Sequence, residues 1–293
     1  MSREFRPTLL LLGCGYTLTR LLQRLSASVV IFTTRNEEGL RRAADIVGTR
    51  YRGAEVDLNS PSSLRDVFEQ YPTIDTVIDS IPPFGEKDGK DPLTGVRNVC
   101  QVLSEQKIKR LVYLSTTGVY GINDGSEVNE QTPCTPGSSK AKARLDSENE
   151  YAAAFPNFTA LRISAIYGPG RGLGMALKNG TYHPISGQDR WSNRVHVDDL
   201  VEAILCLLKD KGIPPKTLCV SDNAPTLQSE VVQYYCSNFS LPKPKEISQE
   251  EAIGLEMATQ MSNLRVLNNL LRTELEMKFK YPSYKEGAGT EFA

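Results

Sequence analysis

The chain has 293 residues, room for about two domains, and its 40% apolar content is that of a folded protein with a core, not of a disordered one. Thirty-four Lys and Arg stand against 35 Asp and Glu, a net charge of −1 without a basic block, so neither nucleic acid nor an anionic membrane is an expected partner. Six scattered cysteines without a C-x-x-C pair, and only two histidines, His183 and His196, form no zinc pattern and point to reduced thiols in the cytoplasm, with no metal.

Leu9-Leu10-Leu11-Leu12-Gly13-Cys14 behind Arg3 and Arg6 imitates a lipoprotein signal, but the run is shorter than the roughly 7–15 apolar residues of a signal core. No other stretch approaches the ~18 apolar residues of a membrane span. Thr8–Gly13 is read instead as a first strand. Val29–Thr34, Tyr51–Val56, Thr76–Asp79, Arg110–Ser115 and Thr159–Ile163 continue the series, with helices predicted at Thr17–Leu25, Glu37–Ala44, Ser62–Glu69, Pro92–Ser104 and Ser138–Tyr151. Several strands are apolar almost without alternation, which marks a sheet covered on both faces. The alternation of strands and helices predicts an α/β domain with a doubly wound parallel sheet.

From about Tyr167 the rhythm changes. Gly168-Pro169-Gly170-Arg171-Gly172-Leu173-Gly174 reads as a flexible loop. A strong helix begins after Asp198-Asp199, runs through Leu205 and stops near Gly212 and Pro214, and further helices are predicted at Gln228–Cys236 and Asn263–Leu271. Glu286–Ala293, poor in apolar residues, reads as a mobile tail. The organisation expected is a dinucleotide-binding domain over residues 1–167 and a smaller mixed C-terminal domain for the substrate over 168–293, partly interleaved with the first.

Gly13-Cys14-Gly15-Tyr16-Thr17-Leu18 falls where the first strand turns into the first helix, the place of the Gly-rich fingerprint in a Rossmann fold. The first Gly permits the tight turn and the second lets backbone N–H groups approach a pyrophosphate. The third position departs from the pattern, because Leu18 stands where Gly or Ala packs helix against strand. An acid that accepts the ribose hydroxyls of NAD is expected about 20 residues beyond the motif. Thr33-Thr34-Arg35-Asn36 offers a guanidinium there instead, which takes a 2′-phosphate bidentately. NADP is therefore the preferred cofactor, with NAD the alternative. The cofactor residues expected are Gly13, Gly15, Tyr16, Thr17, Thr34 and Arg35, with Asp57 and Leu58 near the adenine, Ser80, Ile81 and Pro82 along the adenosine and pyrophosphate, and Ser115.

Together with the Gly13-x-Gly15 turn, three stretches carry a family resemblance. They are Tyr113-Leu114-Ser115-Thr116-Thr117-Gly118-Val119-Tyr120-Gly121, Arg162-Ile163-Ser164-Ala165-Ile166-Tyr167-Gly168-Pro169-Gly170-Arg171 and Arg194-Val195-His196-Val197-Asp198-Asp199-Leu200. With Val220 to Thr226, and the ending from Met261 to Gly287, the chain resembles an atypical extended-type short-chain dehydrogenase/reductase. The subgroup is the NAD(P)-binding, nucleoside-diphosphate-sugar epimerase-like one.

That resemblance implies a Tyr-x-x-x-Lys pair on the helix after the fifth strand, the Lys lowering the phenol's pKa. Only Tyr281 and Lys285 have the spacing, in the wrong place and with Pro282 between them. If Glu148 matches the acid that closes the family's helix motif, Lys140 takes the tyrosine's place and Arg144 the lysine's; if Ser139-Lys140 matches its Ser-Lys, the place falls to Pro136. Either register removes the phenol. Thr116 then occupies the position that hydrogen-bonds the reacting oxygen, and Lys140 is a candidate proton donor; these two are the catalytic candidates. Thr117, Tyr167, Arg171 and Arg194 are the substrate candidates, the arginines because basic residues near these positions meet a nucleotide-sugar's phosphates in the resembling enzymes. Asp198 and Asp199 read as helix caps rather than partners of His196 in catalysis. The function expected is an NADP-binding oxidoreductase or epimerase acting on a small carbonyl, hydroxyl or nucleotide-sugar substrate, with a non-catalytic NAD(P) sensor or partner-binding protein as the rival. Relatives of this type often dimerise, which allows a homodimer.

Overall fold

The computed structural model describes residues 7–25, 29–83, 91–210, 212, 214–222, 224–254 and 262–293. Arg3, Arg6 and Met261, named above, and position 223 within the stretch from Val220 to Thr226 lie outside the described residues. In chain order the elements are β1 (Thr8–Leu12), α1 (Tyr16–Arg24), β2 (Val29–Thr34), α2 (Glu37–Val47), β3 (Arg52–Glu55), α3 (Pro61–Gln70), β4 (Thr76–Asp79), α4 (Thr94–Ser104), β5 (Arg110–Thr116), β6 (Glu127–Val128), α5 (Ser139–Ala154) and β7 (Phe158–Ile163). They continue with β8 (Ala165–Tyr167), α6 (Leu173–Lys178), β9 (Trp191–Ser192), β10 (Arg194–His196), α7 (Val197–Lys209), β11 (Thr217–Val220), β12 (Thr226–Leu227), α8 (Gln228–Asn238), α9 (Gln249–Gly254), β13 (Arg265–Val266), α10 (Asn269–Thr273) and α11 (Tyr284–Gly287).

Seven strands form one sheet in the order β11-β7-β5-β4-β1-β2-β3, a doubly wound arrangement in which β1 is central and the order reverses on either side of it. The pairings of β1 with β2 and β4, of β2 with β3 and of β4 with β5 are parallel. A central strand with helices on both faces has no wet side, and Leu9 to Leu12 are accordingly all 0% exposed. Helix α1 turns Thr17, Leu18, Leu21 and Leu22 inward. Helix α2 starts where Asn36 Oδ1 accepts from Gly39 N at 3.0 Å, with Glu37 and Glu38 favourably placed in its first turn. Helix α3 begins on Pro61, whose missing N–H costs nothing at that position.

The chain divides into two compact units. One comprises residues 1–115, 139–161 and 205–218; the other comprises 116–138, 162–204 and 219–293. The first has a core in which Leu10, Leu12, Val77, Val99, Leu111 and Tyr151 meet. The second has an aromatic core, with Tyr167, Tyr182, Tyr235 and Tyr284 around Leu177, Val231 and Ala288, and a smaller cluster of Tyr120, Val128, Cys219, Leu264 and Val266.

Two expectations are corrected. The helix expected over Asn263–Leu271 is two elements, β13, parallel to β6, and then α10. Leu264, Val266 and Asn268 are buried in alternation, the period of a strand, and this outweighs helical propensity. The tail expected to be mobile is ordered as α11 and a 3-10 turn over Ala288–Phe292, with Tyr284, Ala288 and Glu291 buried. Ser283 and Glu286 form a capping box, Ser283 Oγ accepting from Lys285 N and Glu286 Oε2 from Ser283 N. That S-x-x-E pattern was the available sign of a helix start. Among the described residues no helix is long and apolar enough to cross a membrane, and no group of three His, Cys, Asp or Glu side chains could hold a metal.

Candidate functional site

In the first unit the glycine turn is built from both sides. Gly13 adopts φ +87°, and a Cβ there would stand 2.8 Å from Ser80 Oγ, so a side chain would be both strained and blocked. Its N–H donates to Thr33 Oγ1 at 3.0 Å, while Ser80 N and Oγ both donate to the Leu12 carbonyl at 3.0 Å. Gly15 is different. It is the N-cap of α1 with no side-chain cap, and a Cβ there would meet nothing within 4 Å among the described residues. Among the described residues no side chain caps the start of this nine-residue helix at Gly15, and a helix N-terminus is where a phosphate is received on backbone N–H groups and the helix dipole. Tyr16 and Thr17 form its first turn, and Leu18 is fully buried in the face packed on the core.

Beyond β2, Thr34 Oγ1 donates to Asn36 O at 2.8 Å and Arg35 is exposed. The first carboxylates after it, Glu37 and Glu38, pair with Arg41 and Arg42 along α2. Asp57 is exposed and folds its carboxylate onto Asn59, accepting from both its N and Nδ2 at 3.0 Å. Leu58 is buried in the core, and Asn98 Nδ2 donates to its carbonyl at 2.8 Å. Ile81 is half-buried and Pro82 exposed.

Sequence reasoning missed a buried polar set behind these strand ends. Asp79 closes β4 with 1% exposure; it accepts from Tyr151 OH at 2.6 Å and from Ile81 N at 2.8 Å, and burial pushes its carboxyl up to about 6. Tyr151 lies on α5, and two turns earlier Arg144 Nη1 donates to Leu114 O at 2.9 Å and to Tyr113 OH at 3.2 Å. Ser115 Oγ donates to Glu148, itself 4% exposed. Arg144, Glu148 and Tyr151 follow the i, i+4, i+7 spacing of one helical face, a signal present in the sequence but masked by the Tyr-x-x-x-Lys spacing expected there. Lys140 is exposed in the first turn of α5.

In the second unit, Thr116 Oγ1 accepts from Gly118 N at 3.1 Å and starts a 3-10 turn over Thr117–Tyr120, leaving Thr116 and Thr117 half-buried. Tyr120 is a structural residue. Its hydroxyl donates to Asn129 O at 2.8 Å beside Cys219 Sγ, the Arg162 guanidinium lies over its ring, and burial holds its phenol far above the ordinary range. Tyr167 is buried and donates to Ser283 O at 3.2 Å. Arg171 is exposed on a tight turn in which Gly168 and Arg171 exchange backbone bonds of 2.8 and 2.9 Å.

Arg194 is inside, 6% exposed, bound to Ser192 Oγ at 2.6 Å and Gln228 Oε1 at 3.0 Å with its guanidinium over the Tyr284 ring. Near it Asp222, 1% exposed, is pushed up to about 7 by burial. His196 Nδ1 accepts from Asp198 N, which makes Nε2 the donor to Thr290 Oγ1 at 2.9 Å. Its ring lies tilted by 40° against that of Tyr281, with centroids 3.9 Å apart, and edge-on to Tyr167, so it packs between two tyrosines. Asp199, expected as a cap, instead accepts from Lys280 N and Tyr281 N at 2.7 and 2.9 Å and anchors the closing segment.

The model of the NAD dependent epimerase/dehydratase family matches residues 13–220. An uncharacterized 37.6 kDa protein in the cld 5′ region of Escherichia coli O111:H- is 25% identical over 208 residues, which cover 64% of this chain but only 61% of that protein. A conserved protein of unknown function from Silicibacter pomeroyi DSS superposes with a TM-score of 0.78 at 26% identity, covering 96% of both chains. The dTDP-glucose 4,6-dehydratase of Bacillus anthracis, solved in complex with NAD, has the same fold, with a TM-score of 0.77 at 16% identity over 96% of this chain and 94% of that one.

Proposed function

Because this chain belongs to the NAD-dependent epimerase/dehydratase family, we propose that it is a dinucleotide-dependent oxidoreductase or epimerase for a small carbonyl, hydroxyl or nucleotide-sugar substrate, with NADP preferred over NAD. The observation that carries the reading is the braced turn at Gly13 beside the open, uncapped helix start at Gly15. The cofactor when bound supplies a hydride donor or acceptor at its nicotinamide. The first-turn N–H groups of α1, from Tyr16 and Thr17, hold the pyrophosphate. Arg35 takes the 2′-phosphate, which a carboxylate in its place would repel. Asp57, Ser80, Ile81, Pro82 and Ser115 bound the cofactor through short polar chains and backbone.

Thr116 accepts from Gly118 N, an arrangement that leaves its hydroxyl proton to hydrogen-bond the reacting oxygen. Lys140 supplies a proton or a positive charge, and Thr117, Tyr167, Arg171 and Arg194 recognise the substrate, Arg194 from a buried position. A homodimer and a cytoplasmic location belong to the same proposal. One observation favours a second reading, a dinucleotide sensor without turnover: Tyr151, the one tyrosine of α5, has its hydroxyl committed to Asp79, and Lys140 is exposed.

Fluorescence titration of the protein with NADPH and NADH tests the first part. NADPH should bind more tightly and Arg35→Asp should reverse the preference; an NADH preference unchanged by Arg35→Asp refutes it. Turnover against a panel of carbonyls and nucleotide sugars tests the second. Activity that survives Thr116→Ala combined with Lys140→Ala removes the catalytic assignment, and binding without turnover on any substrate supports the sensor.

A further inference from the structure

We propose that Glu291 is the positioning residue of the loop 168–175 and thereby fixes Arg171, a role that rests on the reading of Arg171 as a phosphate contact. Glu291 lies in the 3-10 turn Ala288–Phe292 with 1% exposure. One of its carboxylate oxygens accepts from the Tyr235 hydroxyl of α8, and the other accepts from Met175 N at 3.2 Å. Its backbone carbonyl accepts from Gly170 N at 3.0 Å.

The loop is shaped around this carboxylate. Gly172, at φ +140°, comes so close that a Cβ would stand 2.5 Å from the Glu291 Cδ, and a Cβ on Gly174 would stand 2.9 Å from Oε2. Gly172 thus serves close approach to the fixed acid and Gly174 close approach to that acid and the Tyr235 and Phe292 rings, while Gly170 serves a positive φ of +69° with nothing within 4 Å of a Cβ among the described residues. Arg171 sits between Gly170, held by the Glu291 carbonyl, and Gly172, held against its carboxylate. The backbone on either side of the exposed guanidinium is ordered before a ligand arrives, which removes that ordering cost from binding.

Calorimetric titration of the full chain with UDP reads this out. Arg171→Ala should weaken UDP about tenfold, the effect of one charge-assisted contact. Glu291→Ala should weaken it by a similar factor, and the double variant should bind no worse than Arg171→Ala alone. Glu291→Gln should bind like the unaltered protein, because its amide can turn the oxygen to Met175 N and the NH2 to the Tyr235 oxygen. Glu291→Ala that keeps its cooperative thermal melt and unaltered UDP affinity overturns the proposal, as do losses that multiply in the double variant. If Glu291→Ala fails to fold, Tyr235→Phe removes only one of the bonds to the carboxylate; weaker UDP binding then supports the role and unchanged binding overturns it. If Arg171→Ala itself leaves UDP binding unchanged, the phosphate-contact reading fails separately. Loop positioning is then decided by hydrogen exchange at the Gly170 and Met175 amides, where faster exchange in Glu291→Ala or Tyr235→Phe supports it and unchanged exchange overturns it.

Discussion

Replacing Asp79 by Asn should shift stability in the variant's favour as pH rises. The carboxyl is 1% exposed and raised from 3.8 to about 6, with burial the largest cause and the Tyr151 and Ile81 hydrogen bonds opposing it. An acid raised on folding binds its proton more tightly in the native state. Stability is therefore fullest below the unfolded value and is lost as pH climbs through the window from about 4 to about 6. At 1.36 kcal/mol per pH unit the full loss is about 3 kcal/mol, with roughly half of it between pH 5 and pH 8. The Asp79→Asn protein would have no such loss. The oxygen of its new amide accepts from Ile81 N and the NH2 donates to the Tyr151 oxygen, which deprives the Tyr151 hydroxyl hydrogen of its acceptor, a cost that is the same at pH 5 and pH 8 and so does not enter the difference between them. Urea unfolding of both proteins at pH 5 and pH 8 should show the variant's advantage widening by about 1.4 kcal/mol. A gap that stays constant or narrows refutes the reasoning, because other titrating groups, Asp222 among them, are common to the two proteins.

Asp222→Asn should behave in the same direction over a higher window, flattening the fall in stability between about pH 4 and about pH 7, as urea midpoints across that range would show. Gly15→Val should keep the thermal midpoint within a few degrees, since a side chain there meets open space at an ordinary φ, yet weaken NADPH binding about tenfold or more in a fluorescence titration. Gly13→Ala should destabilise by about 1–3 kcal/mol in the same unfolding assay, from the positive φ together with the Ser80 clash.

How far the sequence could be read follows from where burial is apolar. Leu9–Leu12, Val77-Ile78 and Leu111–Leu114 are continuous apolar runs because both sheet faces are covered, and such runs announce themselves. The glycine turn was legible because Gly13 and Gly15 answer different needs, one a backbone conformation and the other open space. What stayed hidden was burial achieved by polar side chains. Glu291 and Arg194 look like surface charges by type, and nothing local says that a hydroxyl and an amide oxygen distant in the chain will meet them inside. The same blindness made the closing segment look mobile, since its anchors are Asp199 to the Lys280 and Tyr281 amides and Glu291 to Tyr235.

Helix α5 shows what such polar burial means for chemistry. In the resembling enzymes this helix presents a phenol and an ammonium to the reacting centre. Here its inward groups are bound to the ends of the sheet: Tyr151 to Asp79 on β4, Arg144 to Leu114 O and Tyr113 OH on β5, and Glu148 to Ser115. Each of these bonds is buried or half-buried, where an unpartnered group costs about 1–3 kcal/mol, so the helix holds the strand ends in place through these bonds. Arg144→Met, which keeps the length of the side chain but not its hydrogen bonds, should therefore lower stability by about 1–3 kcal/mol in urea unfolding. By contrast, Lys140→Ala, at an exposed position, should leave stability within about 0.5 kcal/mol and alter only turnover. Equal stability losses for the two variants would mean that α5 does not divide its labour in this way.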